Sequence, residues 1–228
     1  MSTTSPQSSA VIFDMDGVLL DSEPLHYEAV RIILAEQGVD FPLEDYFRYL
    51  GTTLTSTWDD LCDRYPITMP FAQFEARYNA DVLAHYRAGA PLIRGARELV
   101  EQLREAGVPI AVASSSHRMW VDAALKGAGL SDYFDQTTAG DEVSMGKPSP
   151  EIYLKAAEKL GFDPARCIAI EDAPAGVESA SAAGMKVVLV RSELTDDLNL
   201  TSDWQVDDLT EFKLTWLSEP SADLVGAA

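Results

Sequence analysis

Four short apolar runs, each followed by small, polar or acidic residues, constrain the fold of this chain more than any other feature of its sequence. They lie at 11–15, 109–114, 167–172 and 186–190, and a weaker run lies at 135–140. Continuous apolar runs of this length are typical of strands buried on both faces. Helical patterns separate the runs, so the strands must be joined by crossovers, which produce a parallel sheet. We therefore expect an α/β fold with a doubly wound, Rossmann-like parallel sheet.

The segment 24–92 is the exception, because it contains helical patterns with no strand between them. It begins just after the first apolar run, so it is predicted to form an inserted α-helical cap subdomain over the end of the first strand. The core domain is predicted to comprise 10–23 and 93–215, and residues 1–9 and 216–228 are predicted to be flexible tails.

Charge and composition argue against several classes of partner. The chain has 17 Lys and Arg against 37 Asp and Glu, which is a formal net charge of −20. Nucleic acid and anionic membranes both attract basic surfaces, so neither is expected as a partner. No apolar run approaches membrane-spanning length, and the polar start of the chain lacks signal-peptide features. The distant Cys62 and Cys167 are expected to be buried free thiols in a reducing compartment, which favours a cytoplasmic protein, and a chain with its own cap can act as a monomer.

Polar side chains with catalytic potential follow the ends of the predicted strands. In open parallel sheets, ligands bind beyond the carboxyl ends of the strands. The residues that follow these ends are, in chain order, Asp14, Asp16, Ser114, Ser115, Ser116, Lys147, Glu171 and Asp172. We therefore expect them to meet at one edge of the sheet.

The acidic members of this set predict a metal ion. Two like charges at ~4 Å and an effective dielectric of ~20 repel by roughly 4 kcal/mol. One lysine cannot offset several carboxylates and a phosphate, whereas a divalent cation can, and hard oxygen ligands suit Mg²⁺. The predicted surroundings of Mg²⁺ are Asp14, Glu171, Asp172 and a backbone carbonyl near Asp16.

Asp14 and Asp16 are expected to have separate catalytic roles. Asp14 can attack phosphorus and form an aspartyl-phosphate. Asp16 can protonate the leaving oxygen and later take a proton from water, which requires a different environment from that of Asp14. Ser114 can donate to a phosphate oxygen, and Lys147 can neutralise the phosphate and Asp14. Gly17 permits a tight turn directly after the pair.

Four segments in order, DMDGVLLD, VASSS, GKPSPEIY and IEDAPAGV, resemble the four motifs of the haloacid dehalogenase-like superfamily. The resemblance covers residues 10 to 215 and is closest to the branch of β-phosphoglucomutase and small sugar-phosphate phosphatases. It implies a magnesium-dependent enzyme with nucleophile Asp14, acid and base Asp16, phosphate ligands Ser114 and Lys147, and a metal held by Asp14, Asp172 and the Asp16 carbonyl, near Glu171.

Residues of the cap favour hydrolysis over mutase chemistry. The mutase that this chain resembles uses a cap arginine to grip a second phosphate, and here Leu54 stands in that place; the cap contains no lysine. The predicted function is therefore Mg²⁺-dependent hydrolysis of a small phosphomonoester, such as a sugar, sugar-acid or polyol phosphate. The alternatives are a β-phosphoglucomutase-like phosphomutase and a non-enzymatic binding or regulatory protein on the same fold.

The remaining predicted substrate contacts lie in the cap and after the second strand. His26 resembles a cap histidine involved in proton relay and cap closure. Thr52, Thr53 and Ser115 offer hydroxyl groups to the substrate, and Ser116 is expected to cap the following helix. Trp58 is expected either to offer a stacking surface for the substrate or to pack inside the cap.

Overall fold

The computed structural model describes residues 9–49, 54–191 and 200–218. Its strands are β1 (Ala10–Phe13), β2 (Ile110–Ala113), β3 (Gln136–Thr138), β4 (Cys167–Glu171), β5 (Lys186–Val190) and β6 (Trp204–Val206). They form one sheet in the order β3-β2-β1-β4-β5-β6, and every neighbouring pair is parallel. The predicted parallel α/β sheet is confirmed. The three-residue β6 was not predicted, because so short and half-exposed a strand leaves little apolar signal.

The register of the central strands brings their carboxyl ends to one edge. Phe13 in β1 lies opposite Val112 in β2 on one side and Ile170 in β4 on the other. The backbone N–H of Asp14 donates to the carbonyl oxygen of Ile170 at 2.9 Å. Residues that directly follow β1, β2 and β4 therefore emerge side by side.

Within the described residues, four α-helices lie between β1 and the helix that precedes β2. They are α1 (Glu23–Glu36), α2 (Leu43–Tyr46), α3 (Leu54–Arg64) and α4 (Phe71–Gly89). These helices share a hydrophobic cluster whose buried members all come from residues 30–74. Trp58 belongs to it and stacks on Phe74 with ring centroids 4.4 Å apart, so of the two roles expected for Trp58, packing inside the cap is the correct one. This separate cluster supports the predicted cap, whose boundaries at 24–92 remain a prediction.

The other helices cover the two faces of the sheet. They are α5 (Ala96–Glu105), α6 (Arg118–Gly127), α7 (Glu151–Leu160) and α8 (Pro174–Ala182). Phe13 packs in the cluster that contains α5 and α6, whereas its neighbour Ile12 packs in the cluster that contains α7 and α8. Alternate residues of a strand point to opposite faces, so two hydrophobic layers hold β1 from both sides.

Two segments connect the cap to the sheet, and they pair with each other. Leu20 and Leu92 form an antiparallel bridge. The N–H of Asp21 donates to Pro91 O at 2.9 Å, and the N–H of Ile93 donates to Leu19 O at 3.0 Å. The chain therefore enters and leaves the cap at adjacent positions.

Residues next to the predicted tails contact the core. Trp216 is buried and stacks on Trp204 with ring centroids 4.8 Å apart, and the Ser9 hydroxyl donates to Leu217 O at 2.7 Å. Trp216 thus packs against the core, whereas Ser218 is exposed, and the predicted boundaries of the tails remain a prediction. The rest of the predicted tails, 1–8 and 219–228, lies outside the described residues.

Both cysteines are free thiols, but only Cys167 is buried. The prediction of burial is wrong for Cys62, because α3 buries Thr57, Trp58 and Leu61 and presents Cys62 to solvent. None of the helices in the described part of the chain combines the length and the apolar character that a membrane crossing requires.

Candidate active site

An ion-pair network joins three separated parts of the chain at the carboxyl edge of the sheet. Lys147, from the loop between β3 and α7, donates through Nζ to Asp14 Oδ1 and to Glu171 Oε1, both at 2.6 Å. The Lys147 side chain is almost fully buried. Burial alone would lower the pKa of Lys147, but the two carboxylates outweigh it and raise the pKa above its ordinary value. The lysine is therefore a fixed positive charge beside Asp14.

Hydrogen bonds hold the Glu171 carboxylate in one orientation. The buried Tyr153 hydroxyl donates to Oε1 at 2.6 Å, and the backbone N–H groups of Asp172 and Ala173 donate to Oε2 at 3.1 and 3.4 Å. A Cβ atom on Gly176 would lie 1.9 Å from Glu171, so only glycine allows α8 to approach this closely. With both oxygens engaged, Glu171 fixes Lys147 in place.

Carboxylates of Asp14, Glu171 and Asp172 form a cluster in which one oxygen of each lies within 4.8 Å of the others. Burial raises the pKa of Asp14 to about 7; Lys147 opposes this effect, and Glu171 and Asp16 reinforce it. Burial, Asp14 and Glu171 likewise raise the pKa of Asp172 well above its usual range. One lysine thus leaves the negative charge of the cluster uncompensated, and the oxygen donors fit a divalent cation.

Gly17 permits this cluster to form. Its φ of +79° lies in the left-handed region, as the predicted turn requires, and its N–H donates to Leu20 O at 2.8 Å. A Cβ atom at this position would lie 2.0 Å from Asp172 Oδ2. Glycine is therefore needed both for the turn and for the approach of the Asp172 carboxylate.

The Asp16 side chain is bound by other residues, outside the carboxylate cluster. Tyr86 donates from its hydroxyl to Asp16 Oδ1 at 2.9 Å, and Ser116 donates from its hydroxyl to Oδ2 at 3.0 Å. Asp14 and Asp16 therefore have the different environments that distinct roles require. The predicted metal contact of Asp16 uses its backbone carbonyl and remains a prediction.

Three consecutive serines after β2 have three different environments. Ser114 is fully buried, and its Oγ accepts a hydrogen bond from the Ser116 N–H at 3.1 Å. Ser115 is exposed and lines a cavity. The expectation that Ser116 caps the next helix is wrong: the N-cap residue of α6 is His117, and the Ser116 hydroxyl turns to Asp16 instead.

A cavity of about 600 Å³ lies beside Asp16, between α1, α3 and α4 on one side and the start of α6 on the other. Ser116, whose hydroxyl binds Asp16, lines it together with His26, Leu54 and Trp120. Neither Lys nor Arg is present among the described residues that line it, and Glu23 and Glu75 contribute carboxylates. Residues outside the described ranges include no Lys or Arg either. The cavity is thus acidic and aromatic.

Predicted contacts from the cap have mixed outcomes. His26 lines the cavity, with Nδ1 at 2.8 Å from the Tyr78 hydroxyl and Nε2 at 3.3 Å from the Tyr86 hydroxyl. Thr52 and Thr53 lie outside the described residues. Sequence reasoning missed Tyr86 and Trp120, because their positions depend on how α4 and α6 pack.

Comparison with known proteins agrees with this geometry. Residues 9–184 match the family model described as haloacid dehalogenase-like hydrolase. Hexitol phosphatase B of Escherichia coli strain K12 is 33% identical over 228 residues, which cover 98% of this chain and all of that protein.

Two solved structures share the fold. CbbY of Rhodobacter sphaeroides, solved in complex with phosphate, has a TM-score of 0.79 at 29% identity and covers 92% of this chain and 99% of its own. β-Phosphoglucomutase of Clostridium difficile has a TM-score of 0.74 at 24% identity, with 96% and 99% covered, a likeness that concerns the fold alone. The predicted superfamily and the predicted phosphoric monoester hydrolase activity are confirmed, and the chain belongs to the haloacid dehalogenase-like hydrolases.

Proposed function

We propose that the chain is a Mg²⁺-dependent phosphatase that hydrolyses a small, uncharged sugar or polyol phosphomonoester through an aspartyl-phosphate on Asp14. The observation that carries this proposal is the buried cluster of Asp14, Lys147, Glu171 and Asp172. A cavity of metabolite size lies next to Ser116, whose hydroxyl binds Asp16. A carboxylate nucleophile next to a fixed cation and to oxygen ligands for a metal is suited to phosphoryl transfer.

The reaction has two balanced steps. An oxygen of Asp14 bonds to phosphorus, the bond from phosphorus to the leaving alcohol breaks, and Asp16 gives its proton to that alcohol. Water then bonds to phosphorus, Asp16 takes a proton from the water, and the bond to Asp14 breaks to release inorganic phosphate. Ser114 and Lys147 are proposed to hold the phosphate oxygens during both steps.

Mg²⁺ would be held by Asp14, Asp172 and the Asp16 carbonyl, with Glu171 nearby. When bound, the cation supplies positive charge that keeps the buried carboxylates ionised in the presence of a phosphate dianion. The chain's own contribution is to present those oxygens together: Gly17 admits Asp172, and Glu171 anchors Lys147.

The cavity supports a substrate with one phosphate and no other anion. A second phosphate or a carboxylate would face Glu23 and Glu75 with no lysine or arginine on the described walls. This favours a sugar or polyol phosphate over a sugar-acid phosphate, and the similarity to hexitol phosphatase B agrees with it. A phosphomutase would have to retain a bisphosphate intermediate in the same cavity, so that alternative is disfavoured.

A non-enzymatic role on the same fold is also disfavoured. Burial of Asp14, Glu171 and Asp172 around one lysine raises the free energy of the folded state, and a protein that did not use these charges would lose little by replacing them. The proposed partner is thus a small phosphate ester. The predictions that the protein is a cytoplasmic monomer and binds neither nucleic acid nor membrane remain predictions.

Phosphate release from a panel of phosphorylated sugars, polyols and sugar acids tests the proposal, with Mg²⁺ and with a chelator. We expect Mg²⁺-dependent release of inorganic phosphate, with uncharged leaving groups preferred. Formation of an isomeric sugar phosphate that requires a bisphosphate activator would establish the mutase. If neither product forms with any divalent metal tested, the result would favour the non-enzymatic binding protein over both enzymes.

A further inference from the structure

Tyr86, near the end of cap helix α4, reaches the Asp16 carboxylate across the junction between cap and core. Its side chain is fully buried, and its hydroxyl donates to Asp16 Oδ1 at 2.9 Å. Ser116, from the core, binds the other oxygen at 3.0 Å. One donor from the cap block and one from the core therefore define the plane in which the Asp16 carboxyl group lies.

Tyr78, His26, Tyr86 and Asp16 form a chain of hydrogen bonds in which every donor faces toward Asp16. Tyr86 has a single hydroxyl proton, and a carboxylate can only accept, so that proton is directed to Asp16. The Tyr86 oxygen is then left to accept from His26 Nε2 at 3.3 Å, so we assign a ring proton to Nε2. In that tautomer Nδ1 accepts a hydrogen bond from the Tyr78 hydroxyl at 2.8 Å. The chain runs from Tyr78 at the cavity wall to Asp16.

The backbone at Tyr86 is held against the core. A Cβ atom on Gly127 of α6 would lie 1.9 Å from the Tyr86 carbonyl oxygen, so the two helices touch here through their backbones. The Trp120 ring, also on α6, packs 6.4 Å from the Tyr86 ring between centroids. These contacts leave the phenol little freedom to move relative to Asp16.

We propose that Tyr86 is a positioning residue that orients the Asp16 carboxyl group for proton delivery to the leaving oxygen. The inference rests on the proposed function, since it concerns the same reaction. In this proposal Tyr86 neither contacts the substrate nor takes up the proton. It fixes the direction in which Asp16 presents the proton to the leaving oxygen. The chain from His26 and Tyr78 in turn fixes the rotation of the Tyr86 hydroxyl.

Leaving groups of different basicity separate this role from simple packing. An alkyl phosphate such as sorbitol 6-phosphate releases a basic alkoxide that needs a proton, whereas 4-nitrophenyl phosphate releases a stable phenolate that does not. Because a positioned general acid contributes about 10²–10⁴-fold, we expect Tyr86→Phe to lower kcat/KM for the alkyl ester by roughly tenfold or more. For the aryl ester, kcat/KM is expected to change by less than about threefold, because it reports only the first transfer, in which no acid is needed for a phenolate.

Tyr133→Phe is the matched control, because its hydroxyl donates to Glu101 at 3.0 Å and lies outside the site. It is expected to leave both substrates unaffected. Equal losses on the two substrates in Tyr86→Phe, or no loss on either, would overturn the inference. Failure of the wild-type protein to hydrolyse either ester would instead refute the proposed function.

A second pair of variants tests the hydrogen-bond chain if Tyr86→Phe unfolds. The amide nitrogen of glutamine can replace His26 Nε2 as a donor to Tyr86, whereas the shorter asparagine cannot reach it. We expect His26→Asn to lower kcat/KM for the alkyl ester more than His26→Gln does, with kcat/KM for the aryl ester less affected in both. Identical kinetics in the two variants would contradict the directed chain.

Discussion

Gly17 and Asp172 approach each other so closely that a Cβ atom on residue 17 would lie 2.0 Å from Asp172 Oδ2. Gly17 also has a φ of +79°, which disfavours any residue with a side chain. Two separate effects therefore require glycine here. One is local backbone strain, and the other is the position of a carboxylate proposed to bind the metal.

Gly17→Ala and Gly161→Ala separate these two effects. Gly161 has a φ of +75°, but a Cβ atom there would meet no atom within 4 Å. We expect Gly161→Ala to lower the free energy of unfolding by the strain alone, about 1–3 kcal/mol. Gly17→Ala should lower it further and weaken Mg²⁺ binding, measured by urea unfolding and by titration of activity with Mg²⁺. Equal Mg²⁺ dependence in both variants would show that Asp172 does not depend on Gly17.

Asp14→Asn is expected to reduce phosphate release by at least about a thousandfold, as removal of a nucleophile does in other enzymes with covalent intermediates. The fold should persist, because asparagine is nearly isosteric and retains an oxygen that can accept a hydrogen bond from Lys147 Nζ. Steady-state kinetics and the circular dichroism spectrum measure the two outcomes. Turnover close to that of the wild type would remove Asp14 as the nucleophile.

Mg²⁺ is expected to stabilise the wild-type protein. A ligand that binds only the folded state stabilises it by about 2.7 kcal/mol at a concentration of 100 times Kd. The thermal unfolding midpoint should therefore rise with added Mg²⁺, and the rise should be much smaller in Asp172→Asn, which removes a proposed ligand. A midpoint that Mg²⁺ leaves unchanged in the wild type would argue against metal binding at the cluster.

Leu54→Arg should broaden substrate selection toward a second anion. Leu54 lines the acidic cavity, and an arginine there would place a positive charge on its wall. We expect kcat/KM for a hexose bisphosphate, relative to the monophosphate, to rise by roughly tenfold. Thr55→Arg is the matched control, because Thr55 is exposed on the same helix and is not part of the described cavity wall. A ratio that changes equally in both variants would mean that total charge, not the cavity, is responsible.

Glu142 should make stability depend on pH in the acidic range. Burial alone would raise its pKa, but hydrogen bonds from Arg118, Lys159 and the Ala139 N–H outweigh this and lower the pKa to about 2. A lowered folded-state pKa adds stability that is present above the ordinary value near 4.5 and is lost as the pH falls toward 2. The free energy of unfolding, measured with urea at pH 5, 4 and 3, should therefore fall less steeply in Glu142→Gln than in the wild type. Glu158→Gln, on the exposed side of α7, serves as the control, and equal slopes in the two variants would contradict the assignment.

Most of the sheet could be predicted from the sequence, because its main strands are short apolar runs buried on both faces. Asp14, Lys147 and Asp172 could be placed at one site for a related reason: parallel strands bring their ends together whatever the details of packing. The role of Tyr86 could not be predicted, because it depends on the contact of α4 with Gly127, which no local pattern encodes. Ser116 was assigned to a helix cap for a similar reason, since its partner Asp16 lies 100 residues away in sequence.

The paired connections at Leu19–Asp21 and Pro91–Ile93 have a consequence for how this enzyme can diverge. Because the two ends of the insertion are tied together, the entropy of closing that loop depends only weakly on the length between them. Helices inside it can be lengthened, exchanged or reshaped without altering the register of the sheet that holds Asp14. Evolution can therefore reshape much of the substrate cavity through the insertion while Asp14 keeps its place, provided that Tyr86 keeps its contact with Asp16.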